Sequence, residues 1–179
     1  AILGLEREEV LKICEISSEE GIVEAANFNC PGQIVLAGEV KAVNKAVELA
    51  KGRGAKRAIV LAVSAPFHCS LLKPAADSLA KELENVKIKD SKIPVVSNVN
   101  ANFAKEGYIV KQLLIKQVSS PVLWEDSIRK MINSGVETFV EVGPGKVLSG
   151  FVKKVDNNLR VLNVEDTESL HKTINHLGG

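Results

Sequence analysis

From Ala1 onward the apolar positions switch between short continuous runs and a helical period, and the switching predicts an element order. "AILGL" (1–5) is a continuous apolar run of strand length. "EREEVLKICEI" (6–16) sets Val10, Leu11 and Cys14, with Ile13 beside them, on one helical face. "GIVEAANFN" (21–29) predicts a second strand. "CPGQ" (30–33) predicts a turn, because proline and glycine stand where the backbone must bend. "IVLAGEV" (34–40), the amphipathic "KAVNKAVELAKGRG" (41–54) stopped by glycine, and "AKRAIVLAV" (55–63) follow as strand, helix and strand. The order is βαββαβ, the ferredoxin-like pattern, and it places a small subdomain over residues 1–62.

Beyond Val63 the rhythm changes. "LLKPAADSLAKELENV" (71–86) carries Leu72, Ala76, Leu79 and Leu83 at helical spacing. Its Pro74 belongs in the first turn, where a missing N–H does no harm. "KIPVVSNVNA" (92–101) reads as a strand running into an asparagine-rich turn, and "EGYIVKQLLIKQV" (106–118) as a helix broken by "SSPVLW". "WEDSIRKMINSGV" (124–136) is a helix stopped by Gly135, and "ETFVEVGPGKVLSGFVKKV" (137–155) a strand, a tight turn and a helix. "LRVLNVED" closes as a strand and "TESLHKTINHL" as a helix capped by Thr167 or Asp166. Strands alternating with helices argue for α/β packing on a partly parallel sheet across residues 63–179.

The 179 residues suffice to bury roughly 70% of the surface of the unfolded chain. A formal net charge of +1 and the lack of any basic stripe argue against a surface that tracks nucleic-acid phosphates. No apolar run reaches the ~20 residues of a membrane helix, and the start of the chain has no signal-peptide pattern. The three cysteines, Cys14, Cys30 and Cys69, are widely spaced and odd in number, without metal-site pairing or a disulfide framework. A cytoplasmic protein with reduced thiols is the expectation. A core strand that opens at Ala1 with no polar lead-in points to a piece of something longer.

Candidate chemistry gathers in "VSAPFHCSLLKP" (63–74), just after the apolar run "AIVLAV". A histidine in a loop at the end of a strand is well placed to act as a general base, and imidazole titrates near neutrality. On spacing alone, a histidine that only hydrogen-bonds a loop carbonyl is the better fit. Cys69 adjoins His68, but sequence neighbours point apart, whereas a nucleophile and its base need side chains within about 3 Å. A buried inert thiol is the plainer reading of Cys69. Ser64 and Ser70 stand outside any G-x-S-x-G elbow, a pattern this chain lacks. "EVGPGKVL" (141–148) is a glycine-rich turn into a helix whose amides could receive an anion. It departs from phosphate-loop spacing, so a plain strand-to-helix turn fits better. "NFNCPGQIV" (27–35) carries polar side chains into a hairpin turn, and asparagines hydrogen-bonding nearby backbone account for it plainly.

Taken in order, "NFNCPGQIVLAG", "SAPFHC", "LLKPAAD", "IPVVSNVNA", "KQVSSPVLWEDSI" and "EVGPGKVLSG" resemble the malonyl-CoA:acyl carrier protein transacylases of fatty-acid synthesis. The resemblance implies a ferredoxin-like subdomain inserted in a large α/β-hydrolase-like one. It also implies a serine on a G-H-S-x-G elbow that attacks the malonyl thioester, with a histidine as its base. The acyl group then passes to the phosphopantetheine thiol of acyl carrier protein. On this chain the base falls on His68, and the glutamine whose main-chain carbonyl holds that imidazole falls on Gln117. Asn27, Asn29 and Gln33 match the small-subdomain motif that faces the cleft. Phe67, before the base, would line the acyl pocket and favour malonyl over methylmalonyl. Coenzyme A esters and a carrier thiol meet the chemical need; a metal or redox cofactor is not implied.

The chain departs from that pattern in three places. The nucleophile elbow, the N-terminal G-Q-G-x-Q segment of the oxyanion hole and the arginine that pairs with the malonyl carboxylate have no counterpart here. In the family all three precede the position of "AILGL". The expectation is therefore the C-terminal portion of such an enzyme, with the base and without the nucleophile, inactive alone. Two other readings compete with it. A ferredoxin-like module could bind a carrier protein or ligand without catalysis. An interaction protein could instead expose an apolar face left by a missing half, and would then self-associate.

Overall fold

The run Val23–Cys30 forms the longest strand of the computed structural model, which describes residues 1–178. Gly179, the last position of the expected 63–179 segment, lies outside the described residues. Contacts divide the chain into two compact units, Ala1–Ser127 and Ile128–Gly179.

The first unit opens with β1 (Ile2–Leu3), α1 (Arg7–Ser17), β2 (Val23–Cys30), β3 (Gln33–Gly38), α2 (Val40–Gly52) and β4 (Arg57–Ala58). The strands pair antiparallel in the order β2-β3-β1-β4. The two helices pack on the sheet for a sequence reason. Along α1, Val10, Ile13, Cys14 and Ser17 are buried at the i, i+3, i+4, i+7 positions of one face. Along α2 the buried stripe is Ala42, Ala46 and Ala50, whose small side chains let the helix backbone come close. Ile2, Val10, Ile13, Val23, Phe28 and Ile34 fill the core between them. Leu11, expected on the buried face, is exposed, and Ile13 takes that place.

Two further expectations are corrected here. The strand expected over 55–63 shortens to Arg57–Ala58, because its ladder with β1 spans only Leu3↔Arg57 and Ile2↔Ala58. One more step follows, in which Ala1 and Ile59 exchange main-chain hydrogen bonds of 2.7 and 2.9 Å. Ile59, Val60, Leu61 and Val63 are exposed. The asparagine-rich turn, in turn, closes a hairpin. β5 (Val95–Ser97) pairs antiparallel with β6 (Asn102–Ala104), and Ala101 takes the left-handed backbone of the turn at φ 51.

The same unit contains α3 (Lys73–Glu84), α4 (Gly107–Val118) and the start of α5 (Trp124–Asn133). Pro74 sits in the first turn of α3, as its missing N–H requires. α4 ends before Pro121, and the chain then runs beside β2. Val122 donates to Ala26 (2.8 Å) and accepts from Phe28 (2.9 Å), and Leu123 donates to Asn98 (2.8 Å). This short extended stretch pins the C-terminal end of α4 to the edge of the small sheet.

The second unit pairs β7 (Thr138–Val142) with β8 (Arg160–Val164) in parallel, joined through α6 (Val147–Val155), and closes with α7 (Thr167–Leu177). Asp166, rather than Thr167, caps α7, accepting from the Ser169 N–H at 2.8 Å in a reciprocal capping box. The amides opening α6 are already used. Glu141 accepts from Leu148 N (3.1 Å) and Ser149 N (2.7 Å), so the "GPG" turn is closed by the chain's own carboxylate.

Candidate active site

His68 stands at the centre of the loop between β4 and α3. Its backbone lies in the left-handed region at φ 63, a conformation that costs a side-chain-bearing residue about 1–2 kcal/mol. Its Nδ1 lies 3.0 Å from the main-chain oxygen of Gln117. Gln117 is the penultimate residue of α4, and the last four carbonyls of a helix have no partner within it. A carbonyl only accepts, so Nδ1 carries the hydrogen and the neutral ring keeps its lone pair on Nε2. The result is an oriented imidazole whose Nε2 has no hydrogen-bond partner among the described residues.

The neighbours of His68 are held as firmly. Cys69 is completely buried and its thiol donates to Pro66 O at 3.2 Å. Burial pushes this thiol up; a main-chain contact from Leu71 opposes the shift, and the charge of Glu24 adds to it. A protonated, buried thiol is a poor nucleophile, which agrees with the reading of Cys69 as inert. Ser70 donates both its N–H (2.8 Å) and its O–H (2.6 Å) to the two carboxylate oxygens of Glu24 on β2. Nothing in the sequence pattern signals the Glu24–Ser70 pair, since the partners lie 46 residues apart and share no motif.

A cavity of about 510 Å³ lies between the small sheet, α2 and the chain leading to His68. Asn27, Asn29 and Phe67 line it together with Leu36, Val47 and Val63. Strand alternation explains the asparagines: Phe28 between them is in the core, so they face the other way, half-buried. Phe67 is 52% exposed at the cavity wall. Gln33 is placed differently. It starts β3, opposite Cys30 and Leu3, and its Oε1 lies 3.9 Å from the Cys30 sulfur. Among the described residues no group of three or more His, Cys, Asp or Glu side chains is gathered as metal ligands, and no helix is long and apolar enough to cross a membrane.

Residues 4–176 match the family described as acyl transferase domain. The chain is similar to the malonyl CoA-acyl carrier protein transacylase of Bacillus subtilis, with 51% identity over 178 residues. That match covers 99% of this chain and 56% of the relative. A crystal structure of malonyl CoA-acyl carrier protein transacylase from Clostridium perfringens superposes with a TM-score of 0.95 at 52% identity, covering 99% of this chain and 56% of that one. A type II PKS acyl-carrier protein in complex with its malonyl-transacylase matches with a TM-score of 0.95 at 40% identity, over 98% of this chain and 57% of that one. The chain thus spans a little over half the length of the relatives it matches.

Proposed function

The chain belongs to the acyl transferase domain family, and from that premise we propose that it is the base-bearing part of a malonyl-CoA:acyl carrier protein transacylase of fatty-acid synthesis. The observation that carries this reading is the His68 imidazole, oriented by the Gln117 carbonyl and preceded in the chain by Phe67, which lines a cavity with Asn27 and Asn29. The names of the similar proteins support the choice of malonyl and of acyl carrier protein.

In the proposed reaction a serine outside these residues gives its proton to His68 Nε2 as its oxygen attacks the malonyl thioester carbon. The carbon–sulfur bond breaks, the coenzyme A thiolate takes the proton back from the imidazolium, and a malonyl-serine ester remains. The phosphopantetheine thiol of the carrier then gives its proton to Nε2 and attacks the ester. Serine leaves and recovers the proton. Each half uses one base twice, which a single oriented imidazole can do. Both halves run on thioesters, a hydroxyl and a thiol, and require no further cofactor.

The remaining features of the reading follow from the same premise. Residues 1–62 serve as the small subdomain and 63–179 as part of the large one. Asn27 and Asn29 face substrate, the nucleophile belongs to a preceding segment of the same enzyme, and the site of action is the cytoplasm. The test is a transfer assay on the complete polypeptide with malonyl-CoA and phosphopantetheinylated carrier, read by the mass of the carrier. Malonyl transfer that is lost in His68→Ala supports the reading; equal transfer by the variant overturns it.

A further inference from the structure

His68 is one of two non-glycine residues among those described with positive φ, and the other, Ala101, merely closes a hairpin. A left-handed histidine persists only where its surroundings over-determine it. On its N-terminal side the loop is tightened by Phe67 N donating to Ala65 O at 3.0 Å. On its C-terminal side Cys69 is tied to Pro66, and Ser70 is tied twice to Glu24. Glu24 belongs to β2, where it pairs with Ala37 of β3, so the clamp is anchored in a sheet rather than in another loop.

We infer that Glu24 is a positioning residue: its carboxylate grips the N–H and O–H of Ser70 and so holds His68 in the backbone conformation from which the ring meets the Gln117 carbonyl. Both carboxylate oxygens are engaged, one by each donor, and hydrogen bonds to an ionised acceptor are among the strong ones. Removing the carboxylate frees residue 70, and residue 68 can relax toward the ordinary negative-φ region. The ring then leaves Gln117 and its Nδ1–H tautomer is no longer selected. A glutamine at position 24 can still meet both groups, its Oε1 accepting from the Ser70 N–H and its Nε2 donating to Ser70 Oγ, but it lacks the charge that makes the carboxylate bonds strong. The inference rests on the proposed role of His68 as base for its functional meaning, though not for its geometry.

The test uses the 179-residue chain labelled with ¹⁵N-histidine, with the His68 signals assigned by their loss in His68→Ala. The parent should show two well-separated ring nitrogens, the signature of a neutral ring fixed with hydrogen on Nδ1. In Glu24→Ala the two resonances should converge toward the averaged position of a free imidazole; Glu24→Gln and Ser70→Ala should move them part of the way. Unchanged ring resonances in a Glu24→Ala chain that keeps its folded backbone spectrum would overturn the inference. Should that variant unfold, Ser70→Ala decides: a shifted signature supports the clamp and an unshifted one refutes it. Failure of the base role is read separately, as undiminished transfer by His68→Ala in the complete enzyme, and would leave these spectra unaltered.

Discussion

The Nδ1 atom of His68 and the main-chain oxygen of Gln117 are 3.0 Å apart, although the residues lie 49 positions apart in the chain. The acceptor is backbone, so side-chain identity at position 117 is secondary to where α4 ends. In the complete enzyme Gln117→Ala should leave acyl transfer close to the parental rate. His68→Ala should lower it by about 10²–10⁴-fold, the range a positioned general base contributes. Steady-state rates of the two variants, measured together, check both halves of this expectation.

Phe67 stands half-exposed at the cavity wall, one residue before His68. In the proposed acyl pocket an α-methyl group on the substrate would meet its ring, and one methylene's worth of misfit changes selectivity by about 1–3 kcal/mol. Phe67→Ser should therefore raise the methylmalonyl rate relative to malonyl by roughly ten- to a hundredfold in the complete enzyme. Competition between the two coenzyme A esters, scored by carrier mass, measures the ratio directly. An unchanged ratio would remove Phe67 from the specificity pocket.

Burial pushes the Cys14 thiol up to about 11, with the charge of Glu24 adding to the shift. At pH 8 only about a thousandth of it is thiolate, and the thiolate is the reactive form. Cys69 is shifted in the same direction and is fully buried. Both should react with an aromatic disulfide reagent far more slowly in the folded chain than after denaturation. Absorbance-monitored thiol counting with and without denaturant gives the comparison.

Glu141 is one of the groups, with Asp166, whose lowered pKa makes the second unit pH-dependent. Desolvation opposes ionisation, but hydrogen bonds from Ser149 and Leu148 outweigh it and hold the carboxyl below the ordinary glutamate value. A carboxyl depressed in the folded state stabilises the fold above its unfolded pKa of ~4.3, and the contribution fades as pH falls through the folded value. Acidification below about pH 4.3 should lower the Tm more in the parent than in Glu141→Gln, which has no charge to lose there. Thermal unfolding of the two chains between neutral and acid pH tests the sign.

Much of this fold is written in the apolar periodicity, because each helix buries one stripe and that stripe repeats. Val10, Ile13 and Cys14 on α1 and the alanines of α2 mark those stripes plainly. Short strands are harder to read. Asn102–Ala104 is only three residues long, too few for alternation to show, and it reads as the tail of an asparagine turn. Conversely, "AIVLAV" has the look of a full strand, yet a ladder needs a partner and β1 offers one only as far as Arg57–Ala58.

The site was legible to a different degree. His68 stands out by its position after an apolar run, whereas its link to Gln117 followed from a family resemblance and from no spacing rule. The Glu24–Ser70 clamp had no signal at all. A glutamate inside a strand reads as a solvated position, and only the folded chain shows both of its oxygens engaged.

The decisive measurement is the intact mass of this 179-residue chain after incubation with malonyl-CoA, beside the complete enzyme treated in the same way. If His68 is the base of a site whose nucleophile lies elsewhere, the chain gains no mass, while the complete enzyme gains one malonyl group and loses that capacity in His68→Ala. A malonyl adduct on the chain alone, at Cys69 or at a serine of the 63–74 loop, would show that the nucleophile is already present and that His68 does not serve an absent serine.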